Sequence, residues 1–116
     1  MQELIEVKKQ NFTLLGKNQK IKGEFYLSGH VKVQSLIEGQ IQMAPKSTLS
    51  IEREGTIRGD IECFDIEIHG QFIGNLSSKG RLILWPSAYV HGKISSKSLT
   101  IYPGAQLDTE CHTDED

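Results

Sequence analysis

The sequence has few of the residues and segments that several classes of protein require. Only 3 of its 116 residues are alanine, the strongest helix former, so a helical bundle is excluded as the expected fold. It contains no long apolar run, which excludes a membrane-spanning helix, and its first residues lack the basic and then apolar order of a secretory signal. These absences predict a cytoplasmic protein.

Cysteine is also scarce, and the net charge is small. Cys63 and Cys111 stand alone in the sequence, so the spacing indicates neither a metal-binding cluster nor a redox pair. The formal net charge is -2, with lysine and arginine scattered among carboxylates, which leaves no basic stripe for nucleic acid. We therefore expect no metal, no cofactor and no nucleic-acid partner, and we expect both cysteines to lie in the apolar core.

One short motif recurs along nearly the whole chain. It has the form apolar-x-Gly-x-apolar, and its first residues are separated by 16, 20, 15, 18 and 17 positions. A second motif, apolar-x-apolar, precedes each copy after the first and keeps the same period of about 17 residues. The variation in the spacing of the motifs falls in polar stretches such as residues 44–48, which are predicted loops. Copies of the first motif, the last without its glycine, begin at Ile21, Ile37, Ile57, Phe72, Val90 and Leu107.

Apolar and polar residues alternate within each motif, which predicts short strands with one buried face, about three in each repeat. Such strands cannot bury that face alone, whereas a coiled chain gives every strand a neighbour above and below. We therefore predict an all-β, single-domain parallel β-helix of about six coils. The β-helix domain is expected at residues 14–111, between a flexible N-terminal tail at 1–13 and a disordered acidic tail at 112–116.

Small and charged residues also keep the register of the repeat. The glycines of the first motif share the parity of its apolar residues, which predicts an inward column without side chains, as a narrow core or a sharp bend requires. A second column of small residues, from Ser35 to Ala105, predicts a corner. Lys22, Glu38 and Arg58 would lie one above another as exposed pairs of little energetic worth. The glycines are Gly23, Gly39, Gly59, Gly74 and Gly92.

Four segments of the repeat have the order and spacing of a known family. They are Leu-Leu-Gly-Lys at 14–17, Ile-Lys-Gly-Glu at 21–24, Gly-Thr-Ile-Arg-Gly-Asp-Ile at 55–61 and Ser-Leu-Thr-Ile-Tyr-Pro-Gly-Ala at 98–105. From about residue 14 to 111 the chain resembles the bactofilins, which are bacterial cytoskeletal proteins. The resemblance implies a right-handed β-helix that polymerises end to end without nucleotide. It also implies a scaffold for cell-wall enzymes or other partners at the inner face of the cytoplasmic membrane, with a role in cell shape.

Assembly through the ends also follows from the predicted architecture. An end coil leaves backbone groups and apolar core facing water unless it is capped or paired. Pairing of like ends is two-fold symmetric, pairing of unlike ends gives a polar filament, and the resemblance favours like ends. Bactofilins often have phenylalanine where this chain has leucine in the last coil. The predicted end contacts are Ile21, Phe25 and Leu27 at one end, and Leu99, Ile101 and Leu107 at the other.

Outward aromatic residues near the C-terminal end form a candidate surface for a partner protein. Trp85 and Tyr102 occupy equivalent positions in adjacent coils, and each is followed by proline. With the nearby Tyr89 they predict a partner patch or a face for lateral bundling, because exposed aromatics are enriched at binding surfaces. The alternative is that the rings stack on each other and stiffen the two proline turns.

The N-terminal segment is a candidate for weak contact with a membrane. Its apolar residues Met1, Leu4, Ile5 and Phe12 accompany two lysines and could form a short amphipathic segment at a lipid surface. Two glutamates in the same segment oppose binding to anionic lipid. A disordered tail without membrane contact is the alternative.

Two other classes of protein remain as alternatives. The first is a dimeric, non-polymerising β-solenoid interaction domain, like that of division-site inhibitors. The second is an enzyme of the left-handed β-helix type, either an acyltransferase or a zinc carbonic anhydrase. The four histidines suggest this alternative. His69 and His91 occupy different columns, however, and the strict six-residue repeat of those enzymes is missing. We therefore predict that the chain is not an enzyme.

Overall fold

The computed structural model describes residues 3–6, 10–14 and 20–113, with side chains described for residues 20–109. These residues form eleven β-strands and no helix, which confirms the predicted all-β class. In chain order the strands are β1 Glu3–Glu6, β2 Gln10–Leu14, β3 Lys20–Leu27, β4 Gly29–Val33, β5 Leu36–Met43, β6 Thr48–Ile51, β7 Thr56–Cys63, β8 Asp65–Ile68, β9 Gln71–Leu84, β10 Tyr89–Ile101 and β11 Gln106–Thr113.

All neighbouring strands pair in parallel, each with the equivalent strand of the next coil. The long strands stack in the order β1, β3, β5, β7, then the first parts of β9 and β10, and then β11. The short strands β2, β4, β6 and β8 stack likewise on the second parts of β9 and β10. Five complete coils lie between Lys20 and Ile101, with β1 and β2 before them and β11 after them. The predicted parallel β-helix is confirmed.

The register places residues of like character one above another inside the solenoid. Ile37, Ile57, Phe72 and Val90 form one such column, and each is fully buried. Burial of an apolar side chain of this size contributes roughly 1.5–3 kcal/mol, so the columns supply much of the stability that short strands lack alone. The period of two in the sequence therefore identified the core face correctly.

The glycine column turns the chain and does not line a narrow interior. Gly39, Gly59, Gly74 and Gly92 have φ between +130° and +139°, and all four are half-buried. A Cβ atom at Gly59 would overlap the carbonyl oxygen of Gly39 in the preceding coil. Of the two predicted reasons for the missing side chains, the sharp bend is the one observed: the glycines leave room for the backbone of the preceding coil and allow a positive φ. Each long strand continues through this bend.

The N-terminal segment contributes strands over its described residues. Glu3–Glu6 pairs in register with residues 23–26, and Gln10–Leu14 pairs with residues 29–33. Both strands fall largely inside the segment that the sequence predicts as a flexible tail. At the other end β11 continues to Thr113, two residues past the expected boundary, and residues 114–116 lie outside the described part of the chain. The coil thus extends further at both ends than the motifs indicate.

One corner of the solenoid admits additional residues. The connection between β5 and β6 has four residues, 44–47, where the coils before and after have one. The Ser47 hydroxyl accepts a hydrogen bond from the Gly29 N–H at 3.0 Å, and the Ser47 carbonyl oxygen accepts one from the Asp65 N–H at 3.3 Å. The insertion is therefore bonded to the coils on both sides, and the predicted loop at 44–48 is confirmed for all but its last residue, which begins β6.

We expect Gly59→Ala to lower the free energy of unfolding by about 3 kcal/mol, because the new Cβ must displace backbone of the neighbouring coil at a left-handed φ. Gly104→Ala is the matched control: Gly104 also has a positive φ, +108°, but its nearest neighbour is the Pro86 Cβ at 3.1 Å. For Gly104→Ala we expect the free energy of unfolding to fall by about 1–2 kcal/mol, which is the cost of the backbone conformation alone. Urea unfolding followed by circular dichroism measures both, and equal losses would contradict the role given to coil spacing.

Candidate self-association site

The C-terminal end of the solenoid exposes part of its core. Ile101 stands in the same column as Ile68 and Leu84, which are fully buried, yet Ile101 is 44% exposed. Leu99 and Leu107 are partly buried against the core at the same end. The three residues that the sequence predicts for this end thus lie in β10 and β11, the last strands of the stack, and their role in self-association stays a prediction.

The backbone at this end is also open. Among the described strands, residues 98–101 of β10 pair only with β9, and β11 pairs only with β10. Such strand edges present N–H and C=O groups that another chain can pair with. The C-terminal end thus combines apolar side chains with hydrogen-bonding edges, which is the combination that strand addition requires.

The predicted contacts of the N-terminal end lie one coil further in. Phe25 is fully buried, Leu27 is 2% exposed and Ile21 is half-buried. The physical reason is β1, which pairs with β3 and places Ile5 in register with Phe25. The surface at this end is built by β1 and β2, and the sequence motifs beginning at Ile21 mark the second coil instead of the first.

Three aromatic rings from successive coils stack on the outside of the solenoid. The ring centroids of His69 and Trp85 are 5.2 Å apart, those of Trp85 and Tyr102 are 4.7 Å apart, and the interplanar angles are 8° and 17°. These distances are close to the spacing of hydrogen-bonded strands, so the coil repeat itself sets the stacking. The Trp85 Nε1–H donates a hydrogen bond to Glu67 Oε1 at 3.2 Å. The predicted stacking of Trp85 and Tyr102 is confirmed, and we call these three rings the aromatic ladder.

The predicted partner patch differs in exposure from residue to residue. Tyr102 is 40% exposed, whereas Trp85 and Tyr89 are half-buried. Tyr89 begins β10 and pairs in register with Gln71 and Gln106, outside the aromatic ladder. Recognition of a partner by these residues stays a prediction.

The residues predicted to contact a membrane lie mostly in described strands. Leu4 and Ile5 are in β1 and Phe12 is in β2, while Met1 lies outside the described residues. The backbone register pairs Phe12 with the buried Val31. None of the described residues forms a helix that could cross a membrane. Contact with a lipid surface stays a prediction.

The charged residues on the outside form the predicted ladder. Glu38 lies between Lys22 and Arg58, and its carboxylate oxygens are 3.6 Å from Lys22 Nζ and 4.0 Å from Arg58 Nη1. Lys20 Nζ also approaches Glu38, at 3.7 Å. Lys22 and Arg58 are exposed and Glu38 is half-buried, and ion pairs of this kind contribute little to stability.

The three histidines with described side chains, His30, His69 and His91, lie on different parts of the surface. His69 belongs to the aromatic ladder, and His91 Nδ1 lies 3.0 Å from the Asp108 carboxylate on another face. Within residues 20–109, where side chains are described, no three histidine, cysteine or acidic side chains come together in a way that could hold a metal ion. His30 is exposed on β4, and His112 lies beyond the described side chains.

Sequence reasoning missed two features of these surfaces. The first is the coil made by β1 and β2, whose apolar residues do not follow the glycine motif. The second is Glu67, which holds the Trp85 ring from the neighbouring coil. Glu67 could have been predicted as a partner of this ring, because it lies two residues before His69 at an outward-facing position of β8.

The fold and its open end define a parallel β-solenoid with a surface suited to strand addition. The model of the bactofilin family, described as polymer-forming cytoskeletal, matches residues 13–112. The chain belongs to the bactofilin family, as the resemblance in its sequence predicted. Bactofilin BacO of Myxococcus xanthus (strain DK1622) is 29% identical over 95 residues, which cover 82% of this chain and 74% of that protein. No solved structure matches the chain.

Cys63 lies in the core as predicted, whereas the side chain of Cys111 lies outside the described ones. The Cys63 side chain is 4% exposed. Burial raises the pKa of the Cys63 thiol to about 12, the nearby Asp65 charge adds to the increase, and the hydrogen bond with Ser78 opposes it. Because the thiolate is the reactive form, this residue is inert in the folded protein.

In the variant Cys111→Ser, which keeps Cys63, we expect no reaction with a thiol reagent at pH 8 in the folded state and complete reaction in urea. The reason is that neither access nor the thiolate form is available before unfolding. Spectroscopic thiol titration with and without urea measures this, and the variant Cys63→Ser in the same background corrects for reaction that does not involve Cys63. Rapid labelling of the folded chain would contradict the buried placement.

Proposed function

We propose that this protein is a cytoskeletal scaffold that assembles without nucleotide into filaments through the ends of its β-solenoid. The observation that carries the proposal is the exposure of Ile101 in the last coil. Ile101 is 44% exposed, although Ile68 and Leu84 in the same column are fully buried. A second copy that covers this end would bury the apolar side chains and pair the open strand edges. The polymer-forming description of the family supports self-association.

The proposed assembly draws on groups that the folded chain already presents. Apolar burial and backbone pairing need no bound phosphate to drive them. Residues 56–59 of the glycine-containing segment at 55–59 belong to β7 and lie between β5 and β9, so their backbone is engaged in the sheet. This arrangement supports assembly that is independent of nucleotide.

The proposed partners are further copies of the chain first and other proteins second. Filaments of this kind would present the same outward columns at regular intervals, which suits the organisation of cell-wall enzymes or other proteins near the inner face of the cytoplasmic membrane. Like-end pairing gives these filaments no polarity, whereas unlike-end pairing does. A dimeric interaction domain, the alternative function, would use one end alone.

We expect Leu107→Asp to abolish filaments while the chain stays folded, because a carboxylate at the edge of the exposed core cannot be buried in a junction without a partner. Negative-stain microscopy and sedimentation measure assembly, and circular dichroism checks the fold. Gln71→Asp is the matched control, since it adds the same charge at an exposed position in the middle of the stack.

Filaments of one protomer width from the unaltered protein and from Gln71→Asp, but not from Leu107→Asp, support the proposal. Filaments from folded Leu107→Asp would remove the C-terminal end from it. A discrete dimer of the unaltered protein at all concentrations would support the interaction domain instead.

For the proposed membrane contact, we expect Leu4→Ser to reduce co-flotation with vesicles of mixed neutral and anionic lipid about threefold, since part of a small apolar contact is lost. Leu4 pairs in register with Glu24, a half-buried position outside the core, so the solenoid should tolerate the change. Gln2→Ser is the control substitution in the same segment. Flotation on a density gradient is used because filaments sediment without lipid, and absence of the unaltered protein from the floating vesicle fraction would eliminate the membrane contact.

A further inference from the structure

The aromatic ladder occupies a column whose chemistry changes along the solenoid. The positions that follow each short strand are Gln34, Glu52, His69, Trp85 and Tyr102, polar in the earlier coils and aromatic in the later ones. Rings therefore reach the C-terminal end of the stack, and the last of them is Tyr102.

Tyr102 is held on one side and open on the other. One face of its ring lies on Trp85 at 4.7 Å, and Trp85 is itself fixed by the hydrogen bond to Glu67 and by His69 behind it. No other described ring stacks on Tyr102, whose side chain is 40% exposed. The ring is thus oriented before any contact forms, which lowers the entropic cost of placing another ring against it.

The exposed ring is adjacent to the open core and strand edge. Tyr102 directly follows Ile101, the 44% exposed member of its column, and the Tyr102 N–H donates to the Leu84 carbonyl oxygen at 2.9 Å. A second chain that pairs with residues 98–101 would therefore come within stacking distance of Tyr102. The spacing of hydrogen-bonded strands and the spacing of the ladder are nearly the same.

We infer that Tyr102 selects a second copy of this chain at the C-terminal end, by stacking on the Tyr102 ring of that copy. The inference rests on the proposed end-to-end assembly and deepens it. A ring from the same column is available only near the C-terminal end, because the earlier positions of the column are Gln34 and Glu52. Continuation of the aromatic ladder across the junction therefore requires two C-terminal ends to meet, a two-fold contact.

The first test compares Tyr102→Ser, Tyr102→Phe and Tyr26→Ser. We expect Tyr102→Ser to raise the concentration for half-maximal sedimentation roughly three- to tenfold, the worth of one aromatic stacking contact, and Tyr102→Phe to restore assembly. Tyr26 is the matched control, since it is 41% exposed but lies outside the ladder. In the unaltered protein the emission of Trp85, the single tryptophan, should change with the same concentration dependence.

The second test asks which ends meet. In a Cys111→Ser background, Tyr102→Cys should form a covalent dimer on mild oxidation of filaments, as seen on a non-reducing gel. Ser77→Cys, exposed in the middle of the stack, should not. The remaining Cys63 is buried and does not interfere.

The outcomes separate this inference from the proposed function. If Tyr102→Ser assembles like the unaltered protein while Leu107→Asp does not, the ring contact is wrong and assembly through the C-terminal end stands. If filaments of Tyr102→Cys give no covalent dimer, the meeting of two C-terminal ends is wrong. If the unaltered protein forms no filaments, the proposed function itself fails.

Discussion

Parallel hydrogen bonding between successive coils is the constraint on which the rest of this structure depends. It fixes the separation of equivalent residues at about 4.8 Å, whatever their side chains. The interior must then be filled by residues that tolerate a copy of themselves directly above and below, which the branched Ile and Val side chains do. At the bend of each long strand the same spacing leaves no room for a Cβ atom, as Gly39 and Gly59 show.

The outside of the solenoid obeys the same spacing with different results. Flat rings can approach to this distance face to face, so His69, Trp85 and Tyr102 form a continuous stack. Long charged side chains at Lys22, Glu38 and Arg58 instead point into water and approach one another only at 3.6–4.0 Å. The aromatic ladder reaches the end of the stack where the core is open.

Much of this fold could be predicted because its information is local and repeated. A period of two marks the buried face and a period of about 17 marks the coil, so Ile37, Ile57 and Phe72 were placed correctly without any long-range calculation. The stack of Trp85 and Tyr102 followed from the same register. Parity could not reveal the positive φ of the glycines, because φ depends on how closely the coils approach and not on which face a residue occupies.

The ends were harder to predict, for a related reason. Ile101 and Ile51 belong to equivalent motifs, and the difference in their exposure, 44% against 0%, arises from the neighbouring coil and not from the motif. At the other end Ile5 and Phe12 lack the flanking glycine pattern, so their strands carried no signal of the repeat. A repeated motif specifies how one coil packs on the next, so it does not show at which coil the stack ends.

The four-residue connection at 44–47 adds residues to one coil without changing how that coil stacks on its neighbours. Ser47 bonds to Gly29 on one side and to Asp65 on the other, so the neighbouring coils stay hydrogen-bonded to the corner despite the added residues. The solenoid therefore has a corner at which residues can be added without a change of register. A peptide epitope or a fluorescent protein grafted there would mark the proposed filament at one position per protomer and leave both ends of the stack untouched.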